Sequence, residues 1–347
     1  MVGSPSQTTT LAEESATASE QSAPRSLVTL PTGADQVFRT ITKGSGAAVL
    51  GLELLVGVFL AYRAAEALHL AGLSFFTTTQ WAPDAGHGRF GIVAVLLGTI
   101  LIGLTAVTIA LPVSVSVALY LSDYSPVKLR RLFISVVDLM AAVPSIVYGL
   151  FGFFFLQGHV IGLARWISTY FGWIPFLHVN GADPHNPLAA ATVYTSSTFI
   201  AGLVVALMIT PVMSSVMREA FAQAPIGERE GAFALGATRW GMVRTVVLPF
   251  GKGGIIGGTM LGLGRALGET VAVYLIISLV VGIQPHLLQS GASTVSALIA
   301  LRFGEASPFA TSALMAAGLA LFLLTLVVNF AASSIIARSR SGAESGA

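Results

Sequence analysis

The sequence predicts an all-α, polytopic membrane protein with six transmembrane helices, and three observations carry that prediction. Hydrophobic residues make up 54% of the 347-residue chain and charged residues only 10%, too apolar a balance for a water-soluble globule. The apolar residues gather into six runs at roughly 46–69, 91–121, 132–156, 197–217, 254–282 and 309–336. Each is long enough to cross about 30 Å of hydrocarbon as a helix. Finally, 13 of the 18 Lys and Arg fall between runs on one face: Arg25, Arg39 and Lys43; Lys128, Arg130 and Arg131; Arg218, Arg229, Arg239, Arg244 and Lys252; Arg338 and Arg340. Basic residues stay on the cytoplasmic side, and an even number of crossings returns the chain there, so both termini are expected to be cytoplasmic.

Residues 1–37, which include SPSQTTTLAEESATASEQSAPRS, are rich in Ser, Thr, Ala and Glu and lack the apolar content that would offset ordering entropy. They are expected to form a disordered cytoplasmic tail ahead of a membrane domain spanning 38–347. The first apolar run begins near Gly46, after Arg39 and Lys43, and reads as a retained anchor instead of a cleavable leader. Beyond it, Phe75, Phe76 and Trp81 suit the outer headgroup belt. In the longer outer loop, Leu163, Trp166, Ile167, Tyr170, Phe171 and Ile174 recur at helical spacing, as in an amphipathic helix lying in the interface.

The third run, RRLFISVVDLMAAVPSIVYG, contains Asp138 and a Pro144-Ser145 step that can break the helix and free backbone groups to line a cavity. Two readings of Asp138 stand open, a partner for a buried arginine or a residue near the cytoplasmic interface.

Between the fourth and fifth runs lies Glu228–Pro249, EREGAFALGATRWGMVRTVVLP, a polar and basic passage within a wider loop at 219–250. Glu230 and Ala232 open a short helical run, Gly236 interrupts it, Thr238 is placed to cap a second run, and Pro249 is placed to stop it. In the second run Trp240, Val243 and Val247 form one apolar stripe. The two runs make a protruding knuckle.

The fifth run holds Gly254, Gly258, Gly262 and Ala266 at four-residue spacing, with Gly264, Gly268 and Ala272 on an adjacent row. Such stripes allow close backbone approach in lipid. Arg265 and Glu269 lie in the same run at i and i+4, expected on one helix face. An arginine at the middle of a span costs about 2.5–3.5 kcal/mol even on insertion scales, so it needs compensation. Either Glu269 neutralises it in a self-contained pair, or Arg265 offers its planar fork to an oxyanion while Glu269 orients it.

The chain has no cysteine, which removes disulfides, thiolate metal sites and cysteine nucleophiles. The Gly251-Lys252 pair lacks the flanking residues of a phosphate-cradling P-loop, with Val246 and Gly253 in place of Gly and Ser or Thr. His159, His178, His185 and His286 lie in outer segments without metal-ligand spacing. No catalytic, cofactor or metal site of its own is expected.

With GRALGETVAV, VPSIVYG, FFTTTQWAP, ALYLSDYSP and the Glu-x-Ala to Leu-Pro loop in hand, the chain resembles the C-type permease subunit of phosphate-specific (Pst) ABC importers. Gly231 stands where that loop pattern usually has Ala. The resemblance implies a type I importer permease (MetI-like) fold in the bacterial inner membrane. It also implies a heterodimer with a sibling A-type permease, two copies of a cytoplasmic ATPase that bind ATP and magnesium, and an extracytoplasmic phosphate-binding protein. It further implies a substrate pathway at Arg265 and Glu269, with Asp138 and Ser145 as candidate pathway residues, and ATPase coupling through Glu230, Ala232, Gly236, Ala237 and Trp240. The residues alone leave sulfate or molybdate, and an ion-coupled anion transporter, as alternatives.

Overall fold

The computed structural model describes residues 33–84, 89–181, 190–278, 280 and 282–341, and in them the chain is almost wholly helical. The helices are α1 (Gly33–Ala71), α2 (Val93–Leu119), α3 (Val127–Ala142), α4 (Ser145–Phe151), α5 (Gln157–Phe171), α6 (Thr198–Ala222) and α7 (Ile226–Ala234). They continue with α8 (Arg239–Met242), α9 (Leu248–Phe250), α10 (Lys252–Gly268), α11 (Val271–Ile276), α12 (Val295–Arg302) and α13 (Pro308–Ser341). A two-residue hairpin pairs β1 (Trp81–Ala82) with β2 (Arg89–Phe90), Trp81 opposite Phe90. Five unbroken stretches are long and apolar enough to cross a membrane, or six with the bent pair Arg239–Phe250 and Lys252–Gly268 counted as one.

The chain divides into two units, residues 1–56 and 57–347. In the first, residues 33–56 form the opening turns of α1 and their described side chains are exposed. The expected tail thus ends sooner than 37, because residues 33–37 are already helical; the rest of it lies outside the described residues. In the second unit, Ala64 and Ala67 of α1 are fully buried with Ala313, Leu314 and Ala317 of α13 and with Phe75 and Phe90. There the Ser312 hydroxyl donates to the Arg63 carbonyl at 2.8 Å and accepts from the Ala67 amide, inserting into the α1 ladder.

The core is the α2–α6 pair with α10 laid against it. Close approach is set by small residues: a methyl at Gly202 would lie 2.7 Å from Thr105 Cγ2. The Ser114 hydroxyl donates to the Thr210 carbonyl across the same crossing. The glycine stripe of α10 faces α6 as its spacing requires. Gly254 meets Ala220, a methyl at Gly258 would lie 3.1 Å from the Met213 carbonyl, and Gly262 meets the Met213 side chain. In the adjacent row Gly264 and Gly268 pack less tightly, since a methyl at Gly264 would have only Asn329 within 4 Å and one at Gly268 nothing.

Two expected spans are divided. The run expected at 132–156 is cut at Val143–Pro144, and the long apolar stretch is Ser145–Phe171, with a π turn at Gly152–Leu156. Proline lacks the amide that would continue the ladder and forces the preceding residue into extended geometry, here Val143 at φ −64°, ψ 130°. The expected interfacial helix is therefore the C-terminal end of this stretch and not a separate element. The run expected at 254–282 ends at Gly268 and resumes as the six-residue α11.

Candidate functional site

Arg265 sits half-buried in the last turn of α10, where the carbonyl end of the helix dipole favours a cation. Glu269 does not continue that helix. It adopts φ −66°, ψ 127°, and its Oε1 accepts from the Ala272 amide at 3.1 Å, capping α11. The Ser296 hydroxyl donates to the Glu269 carbonyl at 2.8 Å and fixes the corner from outside. Among the described residues the ion pairs are Arg218 with Glu219 and Arg229 with Asp123, so no carboxylate pairs with Arg265. The expectation of Arg265 and Glu269 sharing one helix face gives way to a break between them.

The second break packs against the first. A methyl at Gly149 of α4 would lie 2.9 Å from Ala272 Cα, and one at Gly152 would lie 2.8 Å from Ile276 Cδ1. Gly149 lets α4 and α11 approach nearly backbone to backbone, and Gly152, in the π turn that follows α4, makes room for the Ile276 side chain. Ser145 occupies the first turn of α4, half-buried. Tyr148 donates its hydroxyl to the Met140 carbonyl at 2.8 Å, bridging the Pro144 break, and lies close enough to Arg265 to feel its charge. Sequence reasoning passed over Tyr148; the signal was its position one helical turn beyond Pro144. Asp138 lies apart, exposed on α3, where it accepts from Ser215 of α6 at 3.2 Å.

Thus Arg265, Glu269 and Ser145 fall at two helix breaks packed on each other, while Asp138 belongs to the α3–α6 contact. Interrupted helices at membrane depth are tolerated where they line a cavity or are covered by protein, and a planar cationic donor beside such breaks suits an oxyanion.

On the opposite side of α10 the loop forms the expected knuckle. Glu230 and Ala232 lie on α7; Gly236 closes it at φ +81°, a conformation that side chains disfavour. The Ala237 amide bonds back to the Ala232 carbonyl at 3.0 Å, and Thr238 caps α8 by accepting from the Gly241 amide at 3.1 Å. The tip is exposed and partly apolar: Leu235 is 91% and Trp240 57% accessible. The expected stripe splits, because Val243 and Val247 are fully buried whereas Trp240 lies beyond the core edge. Pro249 does not stop this run. The helix widens into a π turn at Val243–Val247, relieving the missing proline amide, and continues to Phe250; the 66° bend falls at Gly251. A side chain at Gly251 would meet the Phe221 ring, so the bend sits tight against the end of α6.

The family model described as "Binding-protein-dependent transport system inner membrane component" matches residues 110–341. The chain belongs to this family. It is 40% identical over 303 residues to "Phosphate transport system permease protein PstC 2" of Mycobacterium tuberculosis, covering 87% of this chain and 91% of the relative. It is 37% identical over 306 residues to "Phosphate transport system permease protein PstC" of Xylella fastidiosa, covering 88% and 91%. Among solved structures, a chain of "a bacterial ABC transporter involved in the import of the acidic polysaccharide alginate" shares the fold at TM-score 0.50 and 18% identity, over 87% of this chain and 99% of that one. In this inner membrane component both helix breaks and the whole knuckle lie within the family match.

Proposed function

We propose that the chain is the permease subunit of an ATP-driven importer that passes inorganic phosphate inward across the bacterial inner membrane. The observation that carries the reading is Arg265, a half-buried guanidinium with no carboxylate partner among the described residues, beside two packed helix breaks in a chain 40% identical to a phosphate permease. Arg265 offers paired N–H donors to a tetrahedral oxyanion. Ser145 and Tyr148 add hydroxyls near it, while Glu269, held on α11, keeps the region from becoming uniformly cationic and trapping its cargo. Asp138 lines the cytoplasmic approach.

The chain supplies no catalytic group or cofactor. ATP and magnesium bind a separate cytoplasmic ATPase, two copies of which dock on this chain and on a sibling A-type permease, through Glu230, Ala232, Gly236, Ala237 and Trp240 here. An extracytoplasmic phosphate-binding protein delivers the anion, and both termini face the cytoplasm. The deciding experiment is ATP hydrolysis by the assembled complex with loaded binding protein, comparing phosphate, sulfate and molybdate. Stimulation by phosphate alone is expected, and equal or greater stimulation by another oxyanion would overturn the assignment. Uptake by this chain alone under an ion gradient, without ATP, would overturn the importer reading itself.

A further inference from the structure

Arg229 precedes Glu230 on α7, yet its side chain turns inward and is 19% exposed. Its Nη1 donates to Asp123 Oδ1 at 2.6 Å, and its Nη2 donates to the Phe221 carbonyl. Asp123 is 4% exposed and sits in the π turn Tyr120–Tyr124 that finishes α2. Phe221 is fully buried in the last turn of α6, and its ring lies against Gly251, where the chain bends into α10. One guanidinium therefore ties the start of the knuckle to the cytoplasmic ends of both central helices.

Charge-assisted, buried and short, such a bond is directional in a way that apolar contact is not. The turn and the residue after it hold further polar atoms inside. Asp123 Oδ2, the hydroxyls of Ser122 and Ser125, and Arg229 Nε itself are buried without a hydrogen bond, so a spare donor and spare acceptors allow the guanidinium to re-register when the junction moves.

We propose that Asp123 and Arg229 form a transmission joint. They are positioning residues that make α7 move as one body with the ends of α2 and α6, so that a push on the knuckle reaches the central helix pair as well as α10. This rests on the reading of the knuckle as the ATPase dock. The joint is separate from the docking surface, because its side chains face inward while Leu235 and Trp240 face out.

The test uses the assembled complex in proteoliposomes, reading two quantities: ATPase recovered with the chain, and labelled phosphate imported per ATP hydrolysed. Asp123→Asn is expected to keep ATPase recovery and hydrolysis within about twofold while lowering phosphate per ATP by about tenfold. Because the chain has no cysteine, Asp123→Cys with Arg229→Cys places a unique thiol pair at the joint. Reduced, it should be uncoupled like Asp123→Asn; bridged by a short bis-methanethiosulfonate, it should recover most of the ratio.

An unchanged ratio in Asp123→Asn, or a bridged pair that stays uncoupled, would overturn the proposal. Loss of the ATPase from Asp123→Asn would overturn it too, since the pair would then belong to the dock. Failure of the docking reading is visible elsewhere, in a Gly236→Arg complex that still retains its ATPase.

Discussion

The carbonyl end of α10, and not Glu269, is what accompanies the Arg265 charge inside the membrane domain. Replacing Arg265 by Gln keeps the size and removes the charge. We expect an inserted, ATPase-bearing complex whose phosphate uptake falls by about 100-fold or more, the loss that follows when a buried anion is deprived of its charged partner. Retained uptake would return Arg265 to a purely structural role. Glycines on the same helix divide by what they touch. Gly262→Leu forces a side chain into Met213 and is expected to cost about 1–3 kcal/mol, seen as a lower melting midpoint in detergent. Gly268→Ala, facing open space, is expected to leave that midpoint unchanged. The identities of Arg265, Glu269 and the glycine stripe were legible because membrane burial makes charges and close contacts conspicuous along the chain. The break between Arg265 and Glu269 was not, because an i, i+4 reading assumes a continuous helix. Ser296, which holds the corner, lies 27 residues downstream.

Among the elements, the knuckle was read most fully because its determinants are local: a glycine at φ +81°, a threonine cap and a short helix on either side. Gly236→Ala must adopt that backbone at about 1 kcal/mol, and Thr238→Ala forfeits a cap of about the same worth. Both should weaken ATPase retention by roughly fivefold in a pull-down titration, where Gly236→Arg abolishes it. Equal retention by Gly236→Arg and the unsubstituted chain would remove the knuckle from the interface. The end of the run at Pro249 was misplaced, because a π turn lets a helix pass through a proline, and nothing in the local sequence announces the wider turn. Arg229 read as one of many topogenic charges; its partner Asp123 is 106 residues away, a separation that no periodicity spans.

For the whole molecule, the order of apolar runs and the placement of basic residues were enough to give the fold class, since lipid permits few ways to satisfy a backbone. What they did not give was the joining of the two interrupted spans, which depends on Gly149 meeting Ala272 across more than 100 residues of sequence. The proposed orientation is testable in the cysteine-free background. A thiol introduced by Asn180→Cys should react with an impermeant maleimide on intact cells, and one introduced by Ser4→Cys only in inverted vesicles; the reverse pattern would invert the topology.

The fixed charge of Arg265 also has an electrical consequence. A phosphate monoanion entering a cell moves against an inside-negative potential, a climb of about 2.3 kcal/mol per charge for each 100 mV. A stationary guanidinium deepens one point along that climb, and the anion must give back the same energy to leave it. Arg265 therefore sets where the cargo pauses and leaves the net electrical work unchanged. In the proposed importer all of that work has to arrive as mechanical displacement, through a chain bent by 66° at Gly251 and pinned there to the end of α6.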